Sequence, residues 1–353
     1  MSTTQPATAE SAPPTPLRER ARGALLGLAA GDAIGFPALY HRMIPLPWQR
    51  ALLWTQATEL SAEQINKIPL PFTLGPPDPL FLSGTDDTEF AVVAALILLE
   101  AGDPPTSEAL FDGWRRHVVD AADQVWSGVA ERASIDNAHK GLQPPVTGND
   151  NPHHFDDGAV TRAVPVGIRY AGRPVVAAAV ASRLAAITNA EDGVAAARAM
   201  AVSVSLLVAG GTADEAIRAG IAEVPEDTWL GRNLQKAFAI LDDAGSGFAA
   251  LPRWSHEIAN GSYNFGNIAA ETLPIAYAIV RSTGNLSEAL GLAAMIPKQA
   301  DSMPAMVGAL VGARFGVSAL PQQWQNTLDR VRGICVPTTS GVSLYELADA
   351  LSG

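Results

Sequence analysis

Residues 83–101 read Ser-Gly-Thr-Asp-Asp-Thr-Glu-Phe-Ala-Val-Val-Ala-Ala-Leu-Ile-Leu-Leu-Glu-Ala, an acidic step into an apolar run. The run, Phe90 to Leu99, is ten residues long and is closed by Glu89 and Glu100. A bilayer span needs roughly 20 residues, so this is a buried helix of a globular protein. Further Ala- and Leu-rich segments lie at 175–187, 194–209, 213–222, 233–244, 268–281, 287–295 and 303–315. A shorter one occupies 20–30, with Gly31 placed to cap it before a turn. Pro and Gly punctuate these segments at helical lengths, and few clusters of Val, Ile, Tyr and Thr compete as strands. No 20–50-residue period repeats, which excludes a solenoid. The reading is all-α: a single compact multi-helix domain over 17–353, with 1–16 as a disordered tail.

Two stretches interrupt the helices. Seven prolines between Pro45 and Pro79 mark a Pro-rich insertion at about 41–80. Residues 141–158, GLQPPVTGNDNPHHFDDG, form a second irregular stretch. Long loops cost ordering entropy, so both are either disordered or functional. Of the 353 residues 48% are apolar and 17% charged, with a net charge of -12. That acid excess argues against a nucleic-acid partner, which would select a basic stripe. With no transmembrane segment, no membrane partner is expected. The single cysteine, Cys335, excludes an intrachain disulfide and fits a reducing compartment. The first residues lack the basic-then-apolar layout of a secretory signal. Together these give a cytoplasmic expectation.

Chemistry has four candidate places. In Thr85-Asp86-Asp87-Thr88-Glu89 three carboxylates fall within four residues. Either Thr85 or Asp86 caps the helix and the acids favour its positive end, or the oxygens hold a hard cation such as Mg²⁺ or Mn²⁺. Gln299-Ala300-Asp301-Ser302 precedes another apolar helix and carries the same two readings. Gly31-Asp32-Ala33-Ile34-Gly35 is the third. The fourth is 149–162, NDNPHHFDDGAVTR, where Asp156 and Asp157 offer an acid and a base; His153 and His154 are expected to be plain solvent-exposed residues. Gly245-Ser246-Gly247-Phe248-Ala249-Ala250 has a dinucleotide-fingerprint spelling but follows a helix where a strand is required.

Taken in order, these segments resemble the ADP-ribosylglycohydrolase superfamily. Residues 22–35, RGALLGLAAGDAIG, resemble its opening helix, 84–88 its first metal motif, and 157–167, DGAVTRAVPVG, its central stretch. Residues 270–274, AETLP, and Asp301-Ser302 with 308–313 are similar to its last third. The resemblance implies an all-α fold with a dinuclear Mg²⁺ or Mn²⁺ centre. Thr85, Asp86, Asp87, Asp301 and Ser302 fall on ligand positions. Asp32 and Gly158 would then touch substrate, and Asp156, Asp157 or Glu89 would act as acid or base. It implies a metal-dependent glycohydrolase working at the anomeric carbon of an ADP-ribosyl or ribosyl group, on an ADP-ribosylated protein or a small molecule. A hydrolase of small nucleosides or sugars and a non-catalytic nucleotide binder are the alternatives. The chain departs from the family at Leu39, where a glutamate is usual, and at Asp157 and Asn189. It departs also at Gln299, which stands for an aspartate. Gln299 is expected to face the second metal site, so that Gln299→Asp would raise Mn²⁺ affinity.

Overall fold

Gly23, Gly27, Gly31 and Gly35 recur every fourth residue along the first helix, Leu17–Met43. Four-residue spacing returns to one face, so they form a smooth stripe. Opposite them stand Gly312, Gly308, Pro304 and Ala300 in reverse order, which makes the helix Ser302–Phe315 antiparallel to the first. A Cβ on Gly27 or Gly31 would overlap the carbonyl oxygen of Gly308 or Pro304, and one on Gly308 would strike Gly27 in return. Backbone touches backbone. This corrects the expected cap at Gly31: the first helix runs unbroken through it, and Gly31 is not among the glycines with positive φ. Its missing side chain serves contact and not a turn.

The computed structural model describes residues 16–43, 83–259 and 267–353. The expected tail, except Pro16, most of the Pro-rich insertion and the side chain of Leu39 lie outside the described residues. Sixteen α-helices occupy the described residues. The first five are α1 (Leu17–Met43), α2 (Asp86–Glu100), α3 (Ser107–Trp114), α4 (Val129–His139) and α5 (Val146–Asn149). Then follow α6 (Gly158–Arg169), α7 (Pro174–Ala185), α8 (Glu191–Val208), α9 (Ala213–Ile221), α10 (Trp229–Ala244) and α11 (Gly247–Arg253). The last are α12 (Ala269–Ser282), α13 (Leu286–Ala293), α14 (Ser302–Phe315), α15 (Gln322–Leu328) and α16 (Leu344–Ser352). Among the described residues the only β-pairing is two isolated bridges.

The eight segments from 89–101 to 303–315 all fall on helices, with ends displaced by at most four residues. Helix α6 lies at the centre, packed between α2 and α8, and every residue from Ala159 to Ile168 is buried. Residues 245–250 form the junction of α10 and α11, with Gly245 at φ 73°. No described helix is long and apolar enough to cross a membrane.

Candidate active site

Four helices begin at one cavity of about 260 Å³: α2, α4, α6 and α14. Asp86 and Asp87 reach it from the first turn of α2 and Glu131 from α4; Asp157 and Gly158 come from the start of α6, and Asp301 and Ser302 from that of α14. Four positive helix ends therefore face one space, which favours anionic groups there. Thr85, Asp157 and Asp301 occupy the N-cap positions of α2, α6 and α14, yet none makes a side-chain cap bond. The capping reading of Thr85 and Asp301 is thus set aside. At α2 the cap comes from another helix. Asp32 of α1, fully buried, accepts the N–H of Thr85 at 2.6 Å and of Thr88 at 3.0 Å. It also accepts both hydroxyls, at 2.5 and 2.6 Å. Asp32 and Thr85 therefore latch α1 to α2 and do not line the cavity, whereas Gly158 does.

The remaining acids are poorly satisfied. Burial, followed by the like charges of Asp301, Asp32 and Glu131, pushes the Asp86 carboxyl up to about 8. Asp87 is raised by burial and then by Asp86, although one oxygen accepts the Thr161 hydroxyl at 2.8 Å. Asp301 is raised by burial and accepts Asn267 Nδ2 at 3.0 Å. Burial pushes Asp157 up to about 7. The hydroxyls of Thr272 and Ser302 temper that shift, yet neither Asp157 oxygen has a well-formed hydrogen bond. Such mutual repulsion among oxygen donors is the chemistry a hard divalent cation relieves. Among the described residues, no three His, Cys, Asp or Glu side chains already converge into a metal-binding group.

The turn 154–158 divides this cavity from a larger one of about 1010 Å³. His154 and Phe155 face the larger space with Trp229, while Asp156, Asp157 and Gly158 face the acidic one. Asp156 is held there, Oδ1 accepting Asn189 Nδ2 at 2.8 Å and the Gly158 N–H at 3.2 Å. Burial and the neighbouring Glu131 raise its carboxyl well above the usual range. Arg162 pairs with Glu131 and bonds Thr188, and its guanidinium lies 5.5 Å from the Trp114 ring centre. His153 and His154 are half-buried, not plainly exposed as expected, and His154 meets Phe155 edge-on at 5.2 Å.

Two expected participants stand elsewhere. Glu89 is fully buried and accepts the backbone N–H groups of Ile334, Cys335 and Val336 at 2.7, 2.7 and 2.6 Å. It organises that loop and does not line the cavity. Gln299, also fully buried, donates Nε2 to Glu271 at 2.5 Å, and Glu271 pairs with Lys298 at 2.8 Å. Neither Gln299 nor Lys298 lines the acidic cavity, contrary to the expectation for Gln299. Sequence reading missed Glu131 and Asn267. Glu131 carries one sign, an acid three residues past Gly128 at a helix start. Asn267 carries none: at φ 60° its carbonyl accepts the Asp157 N–H at 3.0 Å, tying the turn to Asp301.

The domain thus gathers carboxylates from four helix starts around one cavity, and among them both oxygens of Asp157 are buried without a well-formed hydrogen bond. The ADP-ribosylglycohydrolase family model matches residues 13–353, and the chain belongs to that family. ADP-ribosylarginine hydrolase Tri1 of Pseudomonas putida (strain GB-1) is 26% identical over 312 residues, 87% of this chain and 73% of that protein. A solved structure described as an ADP-ribosylglycohydrolase-related protein complex has a similar fold, with a TM-score of 0.59 and 22% identity. That match covers 95% of this chain and 98% of the other.

Proposed function

We propose that this chain hydrolyses the bond joining C1″ of an ADP-ribosyl group to the side chain that carries it, with arginine as the favoured acceptor. The observation that carries the reading is the convergence of Asp86, Asp87, Asp156, Asp157 and Asp301 on one cavity. Family membership and the name of the curated relative supply the substrate class. Departure of the leaving group builds oxocarbenium character at C1″, which nearby carboxylates stabilise. Asp156, oriented by Asn189 and raised well above the usual range, protonates the leaving nitrogen. Asp157, pushed up to about 7 by burial, takes a proton from the attacking water, since a base works best near the operating pH. Asp86, Asp87 and Asp301, with Ser302 assisting, would hold Mg²⁺ or Mn²⁺, which supplies Lewis acidity and a grip on ribose hydroxyls. The larger cavity, with Phe155 and Trp229 in its wall, accepts the adenosine end.

The test is release of free ADP-ribose from arginine-linked and serine-linked peptides, with free nucleosides as a third arm, each with and without Mn²⁺. Cation-dependent release from the arginine-linked peptide is expected. Binding of ADP-ribose with no release from any substrate would make this a nucleotide-binding protein and overturn the hydrolase reading.

A further inference from the structure

Trp126 leaves 58% of its surface exposed while lining the acidic cavity. At the rim of a polar cavity an indole offers a broad, rigid face on which a flat ligand group can stack. Its backbone is fixed on two sides. The Trp126 N–H donates to the Cys335 carbonyl at 2.8 Å, within the loop that Glu89 pins through three N–H groups. Arg132 donates to the Val125 carbonyl at 3.0 Å on the other side. Around the cavity stand six acidic side chains, Asp86, Asp87, Glu131, Asp156, Asp157 and Asp301. They outnumber the positive charge even with Asp156 protonated and one divalent ion bound, and the one guanidinium of the lining, Arg162, is already paired with Glu131. A cleft lined by one sign of charge concentrates the opposite sign at its mouth. A flat cation satisfies both features: it stacks on an aromatic face and is weakly hydrated enough to leave water. A neutral hydroxyl-bearing side chain gains neither.

We propose that Trp126 is the platform for the guanidinium of the arginine that carries the ADP-ribosyl group, and so selects arginine-linked over serine-linked substrates. This rests on the glycohydrolase reading above, with Trp126 binding the leaving side chain outside the reacting bond. Glu89, by anchoring 334–336, acts as a positioning residue for the platform.

Trp126→Ala and Trp126→Phe separate packing from stacking, because an exposed side chain can be removed without opening the core. Kinetics on arginine-linked and serine-linked peptides are paired with titration of Nα-acetyl-arginine methylamide, which reads guanidinium binding without turnover. For Trp126→Ala we expect kcat/KM on the arginine-linked peptide to fall by about 3- to 30-fold, through KM. Serine-linked turnover should change by less than about twofold, and Trp126→Phe should keep most of the wild-type value. Arginine methylamide should bind more weakly to Trp126→Ala. Equal losses on both peptides, or unchanged methylamide binding, would overturn the platform. Should the wild-type chain cleave neither peptide, the glycohydrolase reading falls, while the methylamide titration still upholds or overturns the role of Trp126.

Discussion

Glu89 and Asp157 are both buried carboxylates at helix starts, 0% and 1% exposed, and their surroundings differ completely. Glu89 collects three backbone N–H groups from one loop. Asp157 collects no well-formed hydrogen bond although it sits at the head of a fully buried helix. A buried charge is tolerated when donors surround it and is costly when they do not. Only the hydroxyls of Thr272 and Ser302 ease Asp157, neither through a well-formed hydrogen bond, and Asp86 and Asp301 accept from Thr85 and Asn267. Buried acids left short of donors are the ones available to a ligand, a cation or a proton.

The largest contrast is a pair of substitutions. Asp157→Asn removes the proposed base, and turnover should fall by about 10²- to 10⁴-fold. Because the charge it deletes is unsatisfied, urea unfolding should show stability unchanged or raised. Glu89→Ala should do the reverse to stability, costing about 3–5 kcal/mol, since three N–H groups are left buried without an acceptor. If Asp157→Asn unfolds the protein while Glu89→Ala leaves its stability intact, the assignment of structural and functional acids is inverted.

A pH series probes the same contrast more gently. Asp32, Asp157 and Asp86 are pushed up to about 6, 7 and 8 in the folded protein, against an unfolded value near 4. The folded chain therefore holds protons that the unfolded chain has released, and stability falls as pH rises through that interval. Without divalent ions, Tm should drop between pH 5.5 and pH 8.5. Mg²⁺ or Mn²⁺ should recover most of the drop at pH 8.5 and little at pH 5.5, where protons already occupy the site. A cation effect equal at both pH values would separate the ion from these carboxylates.

Much of the helical frame could be read from sequence because its signals are local. Ala- and Leu-rich runs of ten or more residues mark α2, α8 or α14 without tertiary information. Helix α6 escaped because Pro165 lies inside it and the polar lead-in to Gly158 looks like a loop. The acid motifs at 86–87 and 301–302 were visible for the same local reason. Their capping alternative could be rejected only in three dimensions, when Asp32, 53 residues before Thr85, proved to be the cap of α2. Glu131 and Asn267 act through partners distant in sequence, Arg162 and Asp301. No pattern along the chain records such pairings.

The smallest effect concerns Gln299, where sequence and structure disagree most sharply. Read in line with Asp301 and Ser302, it should face the acid cluster, and Gln299→Asp should tighten Mn²⁺ binding. In the folded chain its Nε2 instead donates to Glu271, beside the Lys298 ion pair, and its Oε1 is buried without a partner. Aspartate there would lose that donor and place a second carboxylate against Glu271, with Lys298 offsetting only part of the repulsion. The expected result is a loss of about 1–3 kcal/mol in stability with Mn²⁺ affinity, measured by calorimetry, within about twofold of wild type. The new charge is spent on Glu271 and Lys298, not on the cavity, so it adds nothing to the count of oxygens that sets affinity for a hard cation. A tenfold gain in Mn²⁺ affinity would mean that residue 299 turns toward Asp301 when an ion is present, and would restore the reading that the sequence first suggested.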